Sequence, residues 1–111
     1  MKKVIIVNSE SFGRGAEDLG QKLMGVFLRK LWAGEPKPVA IICYNSGVKL
    51  MAKGSNVLDA LTALEEAGVD ILACGTCIDY YQLEDNLQVG RISNMEEIAA
   101  MLMTADSVVT I

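Results

Sequence analysis

Two cysteines three positions apart, Cys74 and Cys77 in DILACGTCIDYYQ (residues 70 to 82), are the residues whose type and spacing promise chemistry. Such a pair can hold a metal, form a bridge, pass a sulfur atom, or simply pack. Structural zinc wants four nitrogen or sulfur ligands. This chain has no histidine and one further cysteine, Cys43, so the set is short. An iron–sulfur cluster meets the same shortage. A site shared across an oligomer could still bring four cysteines together, but no metal and no cofactor is the expectation. Cys43 falls in an apolar run and reads as core packing. A working dithiol fits the pair better. If Cys77 sits near the first turn of a following helix, unpaired backbone amides favour its thiolate, which is the nucleophile. The plain alternative is two idle cysteines.

The elements that must position this pair are legible in order. VIIVN (4 to 8), VAIICY (39 to 44) and Val69 to Ala73 are short apolar runs rich in β-branched residues, as in parallel strands covered on both faces. Between the first two, Leu19, Leu23, Val26, Phe27 and Leu31 recur at helical spacing, with Lys30 at the stripe's edge. Gly34 to Pro38 end that helix. A second helix is expected from about Ser55 to Ala67, burying Val57, Leu58, Leu61 and Leu64, and closed by Gly68. A short helical segment around Tyr80 to Leu87 and a brief strand at Val89 to Ile92 follow. Asn94 and Glu97 make a capping box for a last helix, Met95 to Thr104, before a final strand at 107 to 111. Alternating strands and helices imply a layered α/β domain on a parallel sheet, without fixing the strand order. The expectation is one domain over residues 1–111.

In such sheets the working groups gather beyond the carboxyl ends of the strands. Three polar, glycine-bearing turns are thereby predicted on one rim: Asn8 to Gly15, Tyr44 to Val48, and Cys74 to Cys77. Ser11-Phe12-Gly13-Arg14-Gly15 suggests an anion-binding turn, with Asn8, Ser9, Gly13, Arg14 and Gly15 as its candidates. It lacks the lysine and hydroxyl of a nucleotide-hydrolysing loop, and glycines that merely turn the chain explain it equally well. Asn45 and Gly47 either cap a turn or line the sulfur site, as does Thr76. Tyr80 and Tyr81 could shield a persulfide or anchor an interface. Asp18 and Asp79 read as helix-start or surface charges, and Trp32 with the methionines as packing or interface. The thioredoxin arrangement, CxxC after the first strand and faced by a cis-proline, is disfavoured. Here the pair follows the third strand, and Pro36 and Pro38 both precede the second.

Composition closes other options. Of 111 residues, 51% are hydrophobic and 22% charged, which excludes a disordered chain. Ten basic against fourteen acidic residues, net −4, with no basic tract, argue against nucleic acid or an anionic membrane as partner. No apolar run is long enough to span a bilayer, and the start offers no signal-peptide core. The expected location is the cytoplasm, where thiols stay reduced.

Four segments, NSESFGRGAEDLGQKLMGVFLRKL, ICYNSGVKL, ILACGTCIDYY and VGRISNMEEI, resemble in that order the sulfurtransferase-like domain of YedF selenium-metabolism proteins. That domain belongs to the wider DsrE/DsrF-like group of small sulfur-handling proteins. The resemblance spans essentially the whole chain. It implies a three-layer sandwich with a mainly parallel five-stranded sheet, assembled as a dimer, trimer or hexamer. In the sulfur-relay members a cysteine after the third strand accepts and passes on a persulfide. By position that role falls on Cys74, whereas Cys77 belongs to the GTC motif of the YedF-like branch and is favoured by accessibility. YedF-like proteins typically carry an amino-terminal TusA-like sulfur-carrier domain. The expectation here is that this chain lacks it, so that a separate TusA-like carrier is the candidate partner. The leading function is a sulfur or selenium relay through the CxxC pair. The competing class is a noncatalytic binding, scaffold or redox-sensing module, and exposure of the cysteines discriminates the two.

Overall fold

A computed structural model describes residues 1–111. The chain runs β1 (Lys3–Val7), α1 (Glu17–Ala33), β2 (Ala40–Cys43), a 3-10 helix (Asn45–Met51), α2 (Leu58–Glu66) and β3 (Asp70–Cys74). It continues through α3 (Gly75–Tyr81), a short 3-10 turn (Glu84–Asn86), β4 (Arg91–Ser93), α4 (Met95–Thr104) and β5 (Ser107–Thr110). The strands form one five-stranded sheet ordered β4-β3-β2-β1-β5 with every neighbour parallel. This is an α/β sandwich of the expected class.

Alternation along each strand divides the core in two. Ile5, Val7, Ile41, Cys43, Ile71 and Ala73 face α1, α2 and the first 3-10 helix, meeting Met24, Leu28, Val57, Leu61 and Leu64. Val4, Ala40, Ile42, Leu72 and Cys74 face the other way, against Ile98 of α4. Register pairs Cys43 with Ala73 and Cys74 with Ser93, so Cys43 and Cys74 end on opposite faces. Full burial of a side chain such as Leu28 contributes about 2 to 3 kcal/mol, and truncating it to alanine would cost about 2 to 5 kcal/mol through the cavity left behind.

The inward stripe of α1 differs from the expected one. Gly20, Met24, Gly25 and Leu28 are buried, Phe27 and Leu31 are half-buried, and Leu19, Leu23 and Val26 are 54%, 41% and 48% exposed. The helix carries two apolar stripes side by side. Gly20 leaves room for the Ser11 side chain, 1.7 Å from where a Cβ would sit, and Met24 and Leu28 take the buried stripe against the sheet. Three boundaries also move. The second helix begins at Leu58, since Ser55 and Asn56 form a turn in which Val57 N–H donates to Ser55 Oγ at 3.2 Å. The helical segment expected at Tyr80 to Leu87 lies earlier, at Gly75–Tyr81, and Gln82 ends it in the left-handed region at φ 56°. The fourth strand is Arg91–Ser93 rather than Val89–Ile92.

The last helix starts as expected, with Glu97 N–H donating to Asn94 Oδ1 at 2.9 Å. The Glu97 carboxylate does not return to Asn94. It takes Arg91 at 2.8 and 2.9 Å and the Ser93 hydroxyl, while Arg91 also reaches both oxygens of Asp70. This cluster ties the edge strand β4 to β3 and to the start of α4. Arg91 draws Glu97 down to a pKa of about 2, and Ser93 adds to the effect.

Candidate functional site

Each rim residue is placed by a strand end. Cys74 closes β3 and is the N-cap of α3, 3% exposed. Cys77 follows in the first turn of α3 and is half-buried. Asn45 opens the 3-10 helix after β2 with φ +51°, a left-handed conformation that asparagine tolerates better than most residues. That conformation aims its backbone N–H at Cys77 Sγ, 3.0 Å away. The Tyr81 hydroxyl donates to Asn45 Oδ1 at 3.3 Å, so the side chain is held as well. Tyr81 is itself fixed, with the Tyr80 ring edge-on at 5.0 Å and Lys49 Nζ 4.5 Å from its ring centre.

Gly47 lets this turn sit where it does. A Cβ there would lie 2.1 Å from Val7 O and 3.3 Å from Ser9 N, inside the backbone of the central strand and the loop after it. Its role is close backbone approach, two residues from Asn45.

Cys74 and Cys77 line one open cleft of about 570 Å³ with Tyr44, Asn45, Thr76, Tyr80, Tyr81, Met95, Ile98 and Leu102. None of these side chains carries a formal charge. Tyr80 is 79% exposed at the mouth. The far wall, Met95, Ile98 and Leu102, comes from α4, which the sequence reading did not assign to the site. Its signal was the apolar spacing of three and four residues along that helix, which only the sheet order connects to the cysteines.

The thiols are electrostatically unlike what a helix start alone suggests. Burial pushes the Cys77 thiol above its ordinary value. The Asn45 N–H pulls it back, and the neighbouring Cys74 thiol raises it again. Burial thus outweighs the amides expected to favour the thiolate. Cys43 is 1% exposed and its thiol is pushed up to about 12, as befits a core residue. All three cysteines are free thiols, and no group of three metal-ligating side chains converges anywhere in the chain.

The anion-turn candidates partly assemble. Asn8, Ser9, Ser11, Gly13 and Arg14 line a polar groove with Tyr44, Asn45, Ser46 and Ile111. The groove lies between the ends of β1 and β5, where the strand order reverses, a common ligand position in such sheets. Gly15 does not reach it. Two of the amides are already used, Ser11 N–H by Ser9 Oγ at 3.0 Å and Phe12 N–H by Gly20 O at 3.1 Å. The first turn of α1 carries Glu17 and Asp18, and Asp18 Oδ1 accepts Leu19 N–H. One amide of that helix end is taken by Asp18 and two acidic side chains crowd it, so the segment reads first as a turn.

The parallel five-stranded α/β sandwich defines a class of small domains, and the comparisons make the class specific. The model of the DsrE/DsrF-like family matches residues 1–111, and the chain belongs to that family. No curated protein sequence matches it significantly. Among solved structures it is similar to the ychN protein of E. coli, at 21% identity and TM-score 0.72 with all of both chains covered. It is also similar to a protein of unknown function from Methanobacterium thermoautotrophicum, at 18% identity and TM-score 0.73, covering 99% of this chain and 98% of that one. A conserved protein of unknown function from Bacteroides thetaiotaomicron matches at 19% identity and TM-score 0.68, covering 99% and 95%. These likenesses establish the shared fold. No helix is long and apolar enough to cross a membrane.

Proposed function

We propose that this chain accepts a sulfane sulfur or a selenium atom on Cys77 and yields it to the thiol of a partner protein. One observation carries the reading. Cys77 is the one cysteine of the three that solvent reaches, and it opens onto an uncharged cleft beside a second thiol. Its thiolate attacks the outer sulfur of a donor persulfide, the donor leaves as a thiolate, and the transferred atom is held as Cys77–S–SH. A partner thiol then attacks the outer atom. Exchange of this kind needs an accessible thiol and a docking surface rather than an acid–base apparatus. Asn45 N–H stabilises the charge at Sγ whenever Cys77 is the leaving group.

The resemblance of CGTC, DYY and SNM to the YedF-like branch supports selenium as an alternative cargo and a TusA-like carrier as the donor. Three free thiols support action in the reducing cytoplasm. Assembly into a homo-oligomer is supported by the exposed Leu19, Leu23 and Val26 on α1. Light scattering of a concentrated solution should then give a mass above 12.0 kDa, and a monomeric mass would remove assembly from the proposal.

Mass spectrometry of the reduced protein after exposure to a persulfide donor should show about 32 Da added to the peptide holding Cys77. Cys77→Ser should abolish that addition. Undiminished loading of Cys77→Ser would refute Cys77 as the acceptor and return the role to Cys74. If neither the parent nor any variant loads, with or without a carrier protein, the binding or redox-sensing reading takes its place.

A further inference from the structure

The two cysteines of the pair differ in exposure. Cys74, first in sequence, is 3% exposed and packs with Ile98 at the inner side of the cleft, whereas Cys77, second in sequence, is half-buried and open to it. Cys74 is the N-cap of α3 and Cys77 its third residue. The two positions are a helical turn apart and both thiols line the same cleft, so the Cys74 thiol neighbours Cys77 Sγ. A persulfide on Cys77 therefore has two unlike sulfurs. The inner one is Sγ itself, next to Cys74, and the outer one projects into the cleft toward solvent. Displacement at sulfur requires the nucleophile to approach opposite the leaving group. Cys74, buried on the protein side of the cleft, is the one other thiol there to make that approach.

We propose that Cys74 attacks the inner sulfur of a Cys77 persulfide, closes a Cys74–Cys77 disulfide and expels hydrosulfide, so that the chain reduces sulfane sulfur once per loading. The step rests on the reading of Cys77 as acceptor. It breaks the bond between Cys77 Sγ and the outer sulfur and forms one between Cys74 Sγ and Cys77 Sγ. The bonding pair departs with the outer sulfur, and the proton lost by Cys74 ends on hydrosulfide. The two cysteine sulfurs give up two electrons, and the sulfane sulfur takes them. Nothing else is consumed. Restoring the dithiol takes two electrons from an external dithiol reductant. Transfer and release thus compete for one intermediate: a docked partner attacks the exposed outer sulfur, and without a partner Cys74 attacks the inner one.

The test loads the reduced protein anaerobically with inorganic polysulfide, removes the excess by rapid desalting, and follows released sulfide alongside the mass of the protein. The parent should release about one sulfide per persulfide lost and gain a Cys74–Cys77 disulfide in step. Cys74→Ser and Cys74→Ala, each checked for folding by circular dichroism, should still take up sulfur on Cys77. Their sulfide release should fall by about tenfold or more. Cys43→Ala should behave as the parent. A stable parent persulfide without sulfide overturns the proposal while leaving the acceptor reading intact. So does sulfide release that is independent of Cys74, or migration of the added mass to Cys74. A parent that takes up no sulfur overturns both.

Discussion

Replacing Gly47 by alanine tests the packing that brings Asn45 to Cys77. The added Cβ would sit 2.1 Å from Val7 O and 2.9 Å from Val7 C. Nonbonded carbon and oxygen need about 3.2 Å or more, so some backbone must move by about 1 Å. Neither side yields cheaply. Val7 ends a central strand, 1% exposed, bonded on one side to β2 and adjacent on the other to β5. Gly47 belongs to a 3-10 helix whose Val48, Leu50 and Met51 are buried. Overpacking of this kind costs about 1 to 3 kcal/mol, and contact with main chain rather than a flexible side chain places Gly47→Ala near about 3 kcal/mol. For a chain this size the midpoint of thermal unfolding should fall by at least about 10 °C. Gly13→Ala is the control: φ is +84° there, but a Cβ meets nothing within 4 Å. Left-handed strain alone should cost about 1 to 2 kcal/mol. Urea unfolding of both variants measures the difference. Displacing the turn also draws the Asn45 N–H off Cys77 Sγ, so alkylation of Cys77 at fixed pH should slow in the folded Gly47→Ala protein and not in Gly13→Ala. Equal stabilities for the two variants, or unaltered Cys77 alkylation in a clearly destabilised Gly47→Ala, would refute the reasoning.

Iodoacetamide labelling of the native protein should modify Cys77 first, with a rate still rising with pH beyond the ordinary cysteine range, because burial raises that thiol. Cys43 should label only on unfolding, and a Cys77 rate that levels off at neutral pH would contradict the burial argument. Glu97 has a folded-state value of about 2, below its unfolded one, so its contribution is present above the unfolded carboxylate range and is lost as pH falls toward 2. Acid titration of stability should therefore be shallower in Arg91→Ala than in the parent across that window, and identical slopes would dismiss the Arg91–Glu97 pairing as a source of stability.

The course of the chain was legible because its strands are short β-branched runs and its last helix carries its own start signal at Asn94. What escaped depends on distance in space. The 3-10 helix at Asn45–Met51 has a sequence without helical periodicity, and burial of Val48, Leu50 and Met51 against the sheet holds it in shape. On α1, apolar positions at 19, 23 and 26 compete with those at 24 and 28, and local pattern has no means of choosing between adjacent stripes. Packing of Met24 and Leu28 into the sheet-side core chooses. Among the site residues, the turns at 8 to 15, 44 to 48 and 74 to 77 were placed on the correct rim by the strand rule. The α4 wall was not, because α4 meets the cysteines only once β4 lies beside β3.

The difference between Cys74 and Cys77 follows from the same geometry. A strand alternates its faces, so ending β3 at Cys74 commits that thiol to the α4 side, beneath Ile98, whatever follows it. Helix α3 starts at the next residue and carries Cys77 part of a turn away, to where the chain after β2 returns through Asn45. Spacing keeps the pair together, and the register of β3 decides which thiol is buried and which opens to the cleft. The proposed acceptor has to be reached from outside and the proposed resolving thiol does not, and this division meets both requirements.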